Sequence, residues 1–110
     1  MHEFSKSHKR RLRELSARLY ERDLKESLVP LSKKFHDWKE GKITSLELSE
    51  LLHEYDDGES RKLWSRYDTN RYDMIVAHGF VGGFLTEDDI GPDLIKELEN
   101  VIQFYREVKE

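Results

Sequence analysis

The residues that could do chemistry in this chain are its five histidines, its 23 carboxylates and a run of cations near the amino terminus. Glu50 and His53 stand three apart, a spacing that sets a carboxylate and an imidazole on one helix face, as di-iron bundles require. Such a centre needs a second Glu-x-x-His motif and two further inward glutamates, and the chain holds one motif. Leu51 and Leu52 carry the apolar stripe there, which leaves Glu50 and His53 on a solvated flank. His36/Glu40 and His53/Asp57 stand four apart, so each pair can clamp a cation or form an exposed pair worth roughly 0.2–0.5 kcal/mol. Five histidines in 110 residues make such spacings common, and no metal or other cofactor is implied. His78 is different, because it lies inside Met74–Leu85, a stretch with no formal charge. A buried imidazole must find a hydrogen-bond partner or give up its charge. His78 is therefore expected as a core histidine, and it is the candidate for a buried pH switch at a crossing that Gly79 and Gly82 would permit.

The cations Lys6, Lys9, Arg10, Arg11 and Arg13 lie within eight positions and can meet phosphates along a helix, or a protein partner. Residues 1–25 hold eight basic against four acidic side chains, and the other 85 carry a net charge of −8 within an overall −4. An acidic body repels nucleic acid, and Leu12, Leu15 and Leu19 in the same segment require burial. An arm docked on its own body or on a second subunit is favoured over nucleic acid.

The segment Gly41-Lys42-Ile43-Thr44-Ser45-Leu46-Glu47 resembles the second half of an EF-hand calcium loop, with its turn glycine, following isoleucine and terminal glutamate. Aligned so, the first and third ligand positions hold His36 and Trp38, and Glu40 and Glu47 supply too few hard oxygens for calcium. A helix stop followed by a capped start explains the same residues. No phosphate-binding loop, Gly-x-Ser-x-Gly elbow or His-Glu-x-x-His motif is present. The acidic clusters Asp56-Asp57-Gly58-Glu59 and Glu87-Asp88-Asp89 fit helix ends.

The elements that must position these groups read as helices throughout. Leu12, Leu15, Leu19, Tyr20, Leu24 and Leu28 mark a first helix over 8–28, which Pro30 should end. A second runs from Leu31 to Glu40 with Gly41 as its stop. Thr44 and Glu47 have capping-box spacing before Leu48, Leu51, Leu52 and Tyr55, and Gly58 either breaks or is tolerated ahead of Leu63, Trp64 and Tyr67. Asp68, Thr69 or Asn70 should cap a buried central helix over 74–85, Thr86 the next turn, and Gly91-Pro92 should open a last helix through Leu94, Ile95, Leu98, Val101, Ile102 and Tyr105. The expected fold is all-α, a single-domain bundle of about five to six helices, with a basic arm over 1–28 and an acidic body over 29–110.

Composition bears on function. Hydrophobic residues make up 36% and charged ones 38%, so the core must be thin or completed by a partner. The expectation is a small non-catalytic protein that works by association, as a homodimer or with a helical protein partner. Trp38, Trp64, Tyr67 and Phe104 are its candidate anchors. The alternative is a nucleic-acid regulator binding through the arm. No apolar run is long enough to span a bilayer, no signal-peptide pattern opens the chain, and cysteine is absent, which together point to the cytoplasm and away from membranes.

Overall fold

The computed structural model describes residues 3–109, and every element in them is helical. Helix α1 spans Lys6–Lys39, with the Ser5 hydroxyl accepting from the His8 amide at 3.2 Å as its cap. Pro30 lies inside it, so the break expected there does not occur. Proline removes one donor and frees the carbonyl four residues earlier, that of Glu26. Both residues are exposed, which leaves the freed acceptor open to water. The helix ends where expected. Gly41 takes φ +77°, the Lys42 amide reaches the Asp37 carbonyl at 2.9 Å, and the Gly41 amide reaches Trp38 at 3.1 Å. These two bonds form a Schellman closure.

Helix α2 covers Ser45–Tyr55 and opens with the expected capping box: Glu47 N–H donates to Thr44 Oγ1 at 3.0 Å, and Thr44 N–H to Glu47 Oε1 at 3.1 Å. A π-turn over Asp56–Ser60 then leads into α3, Arg61–Tyr67. Gly58 is therefore tolerated inside a continuous helical path. Helix α4 is Tyr72–Val81 and stops four residues short of the expected 74–85, because Gly83 adopts φ +85° and the Phe84 amide closes onto the Gly79 carbonyl at 2.9 Å. Its expected cap is also corrected: Thr69 Oγ1 accepts from the Arg71 amide, and the cap position, Arg71, makes no side-chain cap bond. Short α5, Glu87–Ile90, has a capping box between Thr86 and Asp89. Gly91 at φ +94° and Pro92 open α6, Pro92–Glu97, which continues through Leu98 into α7, Glu99–Lys109.

The described residues form two compact units, whose limits do not coincide with the boundary expected near residue 28. The first comprises 3–19 and 69–109. Its core draws Leu12, Leu15 and Leu19 from α1, Val76 and Ala77 from α4, Leu85, Ile90, and Leu94, Leu98 and Ile102 from the last two helices. Burying a side chain of this size is worth roughly 1.5–3 kcal/mol relative to leaving it in water. Gly79 lets α4 approach α1 closely, since a Cβ there would lie 2.6 Å from Leu19 Cδ1.

The second unit, residues 20–68, is an antiparallel hairpin. Its arms are the later half of α1 and the run from α2 to α3. Trp38 Nε1–H donates to Ser45 Oγ at 2.9 Å at the closed end, Ser27 Oγ meets the Tyr55 hydroxyl at 2.9 Å, and the Tyr20 and Tyr67 rings stack at 4.7 Å near the open end. Leu48 and Leu63 are its buried hydrophobic residues.

Candidate functional site

The helix geometry of α1 divides the five candidate cations. Lys6, Lys9, Arg10 and Arg13 fall at i, i+3, i+4 and i+7, so they share one face about 10 Å long, and all four are exposed. Lys9 Nζ lies 3.3 Å from the Glu3 carboxylate, in an exposed pair. Among the described residues Lys6, Arg10 and Arg13 make no ion pair. Arg11 belongs elsewhere: its Nε–H donates to the Asp89 carbonyl at 3.0 Å and Nη2 to the same oxygen, while Nη1 lies 3.3 Å from Glu14. It satisfies a carbonyl at the end of α5 that lacks a helical donor.

Asp89 is the hub of that corner of the first unit. Its carboxylate also meets Arg18 Nη2 at 2.8 Å. The Arg18 hydrogen bond first, then the Thr86 amide and hydroxyl, hold the Asp89 carboxyl down to about 2, well below the usual carboxylate range. A third tie joins His8 Nδ1 to the Glu97 carboxylate, both half-buried. His8 did not stand out in the sequence, although its spacing of four and seven from Leu12 and Leu15 puts it on the buried face.

His78 is exposed, which corrects the expectation of a buried imidazole. The charge-free run has no polar face to set its phase, and α4 turns Val76, Ala77 and Gly79 inward instead. The His78 ring meets the Tyr105 ring edge-on at 5.1 Å. Burial first, and the Asp73 carboxylate second, push the Tyr105 hydroxyl up. His36 and Lys42 flank Glu40 at 2.9 and 3.1 Å on an exposed surface, and Glu50 and His53 are likewise exposed. Among the described residues no three His, Cys, Asp or Glu side chains converge as a metal site. A shallow groove of about 370 Å³ in the first unit has an apolar floor of Phe80, Pro92, Ile95 and Ile102 and a rim of Lys96, Glu99, Gln103 and Arg106. The Arg106 guanidinium stands 5.9 Å from the Phe80 ring centre.

In the hairpin, the Tyr67 hydroxyl donates to Asp23 Oδ2 at 2.6 Å, beside Arg22 at 3.2 Å and Arg66 at 3.7 Å from the same carboxylate. Burial, and then the Asp23 carboxylate, push the Tyr67 hydroxyl far up. The apolar surface of this unit is its other distinctive property. Leu28, Val29, Phe35, Trp38, Leu46, Leu52 and Trp64 are all exposed. Of the expected anchors, Trp38, Trp64 and Phe104 are exposed and Tyr67 is half-buried under Tyr20. Leu12, Leu15 and Leu19, whose burial the sequence requires, belong to the first unit's core. No helix of the described residues is long and apolar enough to cross a membrane. No family model, curated protein or solved structure matches the chain.

Proposed function

We propose that this chain is a small non-catalytic helical protein of the cytoplasm that works by associating with itself, as a homodimer formed through the hairpin of residues 20–68. One observation carries the reading: within 20–68, seven large hydrophobic side chains are exposed and two are buried. Two antiparallel helices cover each other from one side only, so the hairpin's apolar stripes stay half in water until a further layer arrives. Sedimentation across a dilution series tests the reading, with a concentration-dependent dimer and a falling unfolding midpoint expected on dilution. A clean monomer at high concentration, with an unchanged midpoint, overturns it.

A second reading is favoured by the shared exposed face of Lys6, Lys9, Arg10 and Arg13, which is complementary in charge to the phosphates of a nucleic acid. Arg11 does not belong to it, being held by Asp89. Binding would weaken steeply with salt and vanish in the Lys6→Ala/Arg10→Ala/Arg13→Ala variant. Undetectable binding of DNA and RNA at low ionic strength removes this reading.

A further inference from the structure

We infer that the face of Lys6, Lys9, Arg10 and Arg13 holds the phosphate backbone of a nucleic-acid duplex whatever its sequence, an inference that rests on the second reading above. Helix α1 sorts its cations by task. Arg11 donates to the Asp89 carbonyl at 3.0 Å, Arg18 pairs with the Asp89 carboxylate at 2.8 Å, and Arg22 pairs with Glu26 at 2.9 Å. Lys6, Arg10 and Arg13 make no ion pair among the described residues, and Lys9 meets the exposed Glu3 at 3.3 Å. Helical phase explains the sorting. The four cations centre about 140° round the helix from Leu12, Leu15 and Leu19, which bind α1 into the first unit's core. The face therefore points away from that core on backbone already ordered, so no segment has to fold for it to bind. Asp89 and Glu14 are neutralised by Arg18 and Arg11, which blunts their repulsion of a polyanion.

The surroundings of the face define its ligand. A duplex carries one charge per ~1.7 Å of axis and a single strand one per ~3.4 Å, so a rigid row about 10 Å long lies over twice as many phosphates on a duplex. Proteins that hold single strands stack the bases on aromatic side chains. Among the described residues none stands ready for that here: Ser7, Glu14 and Ala17 are the exposed neighbours, Phe4 is half-buried, and Tyr20 is stacked on Tyr67 at 4.7 Å. Asn and Gln, which read adenine edges in a groove, are absent from residues 3–19. Lysine and arginine one turn apart along a straight helix meet phosphates, which fix position and carry no sequence. Ala17 and Glu21 continue the row, so it ends after these four cations.

The test is fluorescence anisotropy of a short labelled DNA duplex titrated with the full-length chain, with circular dichroism confirming helix content of each variant. Four phosphate contacts are expected to make affinity fall about 150-fold between ~50 and ~200 mM salt. Arg10→Gln or Arg13→Gln removes one contact, and the fall is expected to shrink to about 40-fold. Arg18→Gln removes the same formal charge from the same helix, but its partner is Asp89, and the 150-fold dependence is expected to persist. A duplex of unrelated sequence should bind equally well, and a single strand of the same length more weakly. If Arg10→Gln and Arg18→Gln change the salt dependence alike, net charge rather than this face governs binding, and the inference is overturned while nucleic-acid binding stands. Preference for one duplex sequence, or single-strand binding as tight as duplex binding, likewise overturns the inference alone. No binding of any probe at low salt overturns both the inference and the reading beneath it.

Discussion

The two compact units are built from similar amphipathic helices and bury them very differently. Among the described residues, ten of the twelve buried hydrophobic side chains lie in 3–19 and 69–109, and two lie in 20–68. The difference is one of layers rather than of residue type. In the first unit α1, α4 and the pair α6–α7 surround shared space, so Leu15, Val76, Ala77 and Leu98 reach zero exposure. In the hairpin each stripe has one neighbour, and leucine and phenylalanine at equally good spacing remain in water. Periodicity tells which face of a helix wants cover; the number of neighbours decides whether it gets any.

Truncations give the largest test of that contrast. Leu98→Ala is expected to cost about 2–5 kcal/mol by chemical denaturation, and Leu52→Ala on the monomer under about 0.5 kcal/mol. Equal costs would erase the distinction. Next in size, Gly79→Val would press into Leu19 and should cost about 1–3 kcal/mol, a change confined to the first unit. In the hairpin, Tyr67→Phe removes a bond to the Asp23 carboxylate and should cost about 1 kcal/mol. Its pH dependence sharpens the assignment. The Tyr67 hydroxyl is raised in the folded chain, so its contribution is fully present below the ordinary value of 10.0 and is lost as pH rises beyond it. Alkaline melts of the parent should steepen there and those of Tyr67→Phe should not. The smallest effect belongs to Asp89, whose carboxyl is held at about 2 against an ordinary 3.8. Its contribution is present above 3.8 and fades as pH falls toward 2, and Arg18→Ala should shrink that acid limb in a pH titration of stability.

Local signals in the sequence were legible wherever one residue type has one task. Thr44 with Glu47, Thr86 with Asp89, Gly41 and Gly91-Pro92 all sit where cap chemistry puts them. Three features were not legible, each for a physical reason. The helix-breaking cost of Pro30 is local, and with the freed Glu26 carbonyl exposed to water the 34-residue helix runs through it. His78 lies in a run apolar on every side, so no polar face sets its rotation and burial cannot be read from pattern. The cluster of five cations looked like one site, and only the helix phase separates Arg11 from the other four. The distant partners in side-chain ties, such as Glu97 for His8 and Asp23 for Tyr67, carry no signature in spacing.

The π-turn at Asp56–Ser60 has a consequence for how this chain tolerates changes in length. Tyr55 and Leu63 are eight residues apart, which in a regular α-helix would rotate Leu63 about 80° away from the stripe. A π-turn absorbs one surplus residue, so the pair behaves as though seven apart, two whole turns, and Leu63 returns to the inner face. The hairpin thus stores a single-residue insertion without losing phase. Deleting Gly58 should straighten Ser45–Tyr67 into an ordinary α-helix with Leu63 and Tyr67 still pointing inward, whereas adding one more residue has no such reservoir and would turn both toward water.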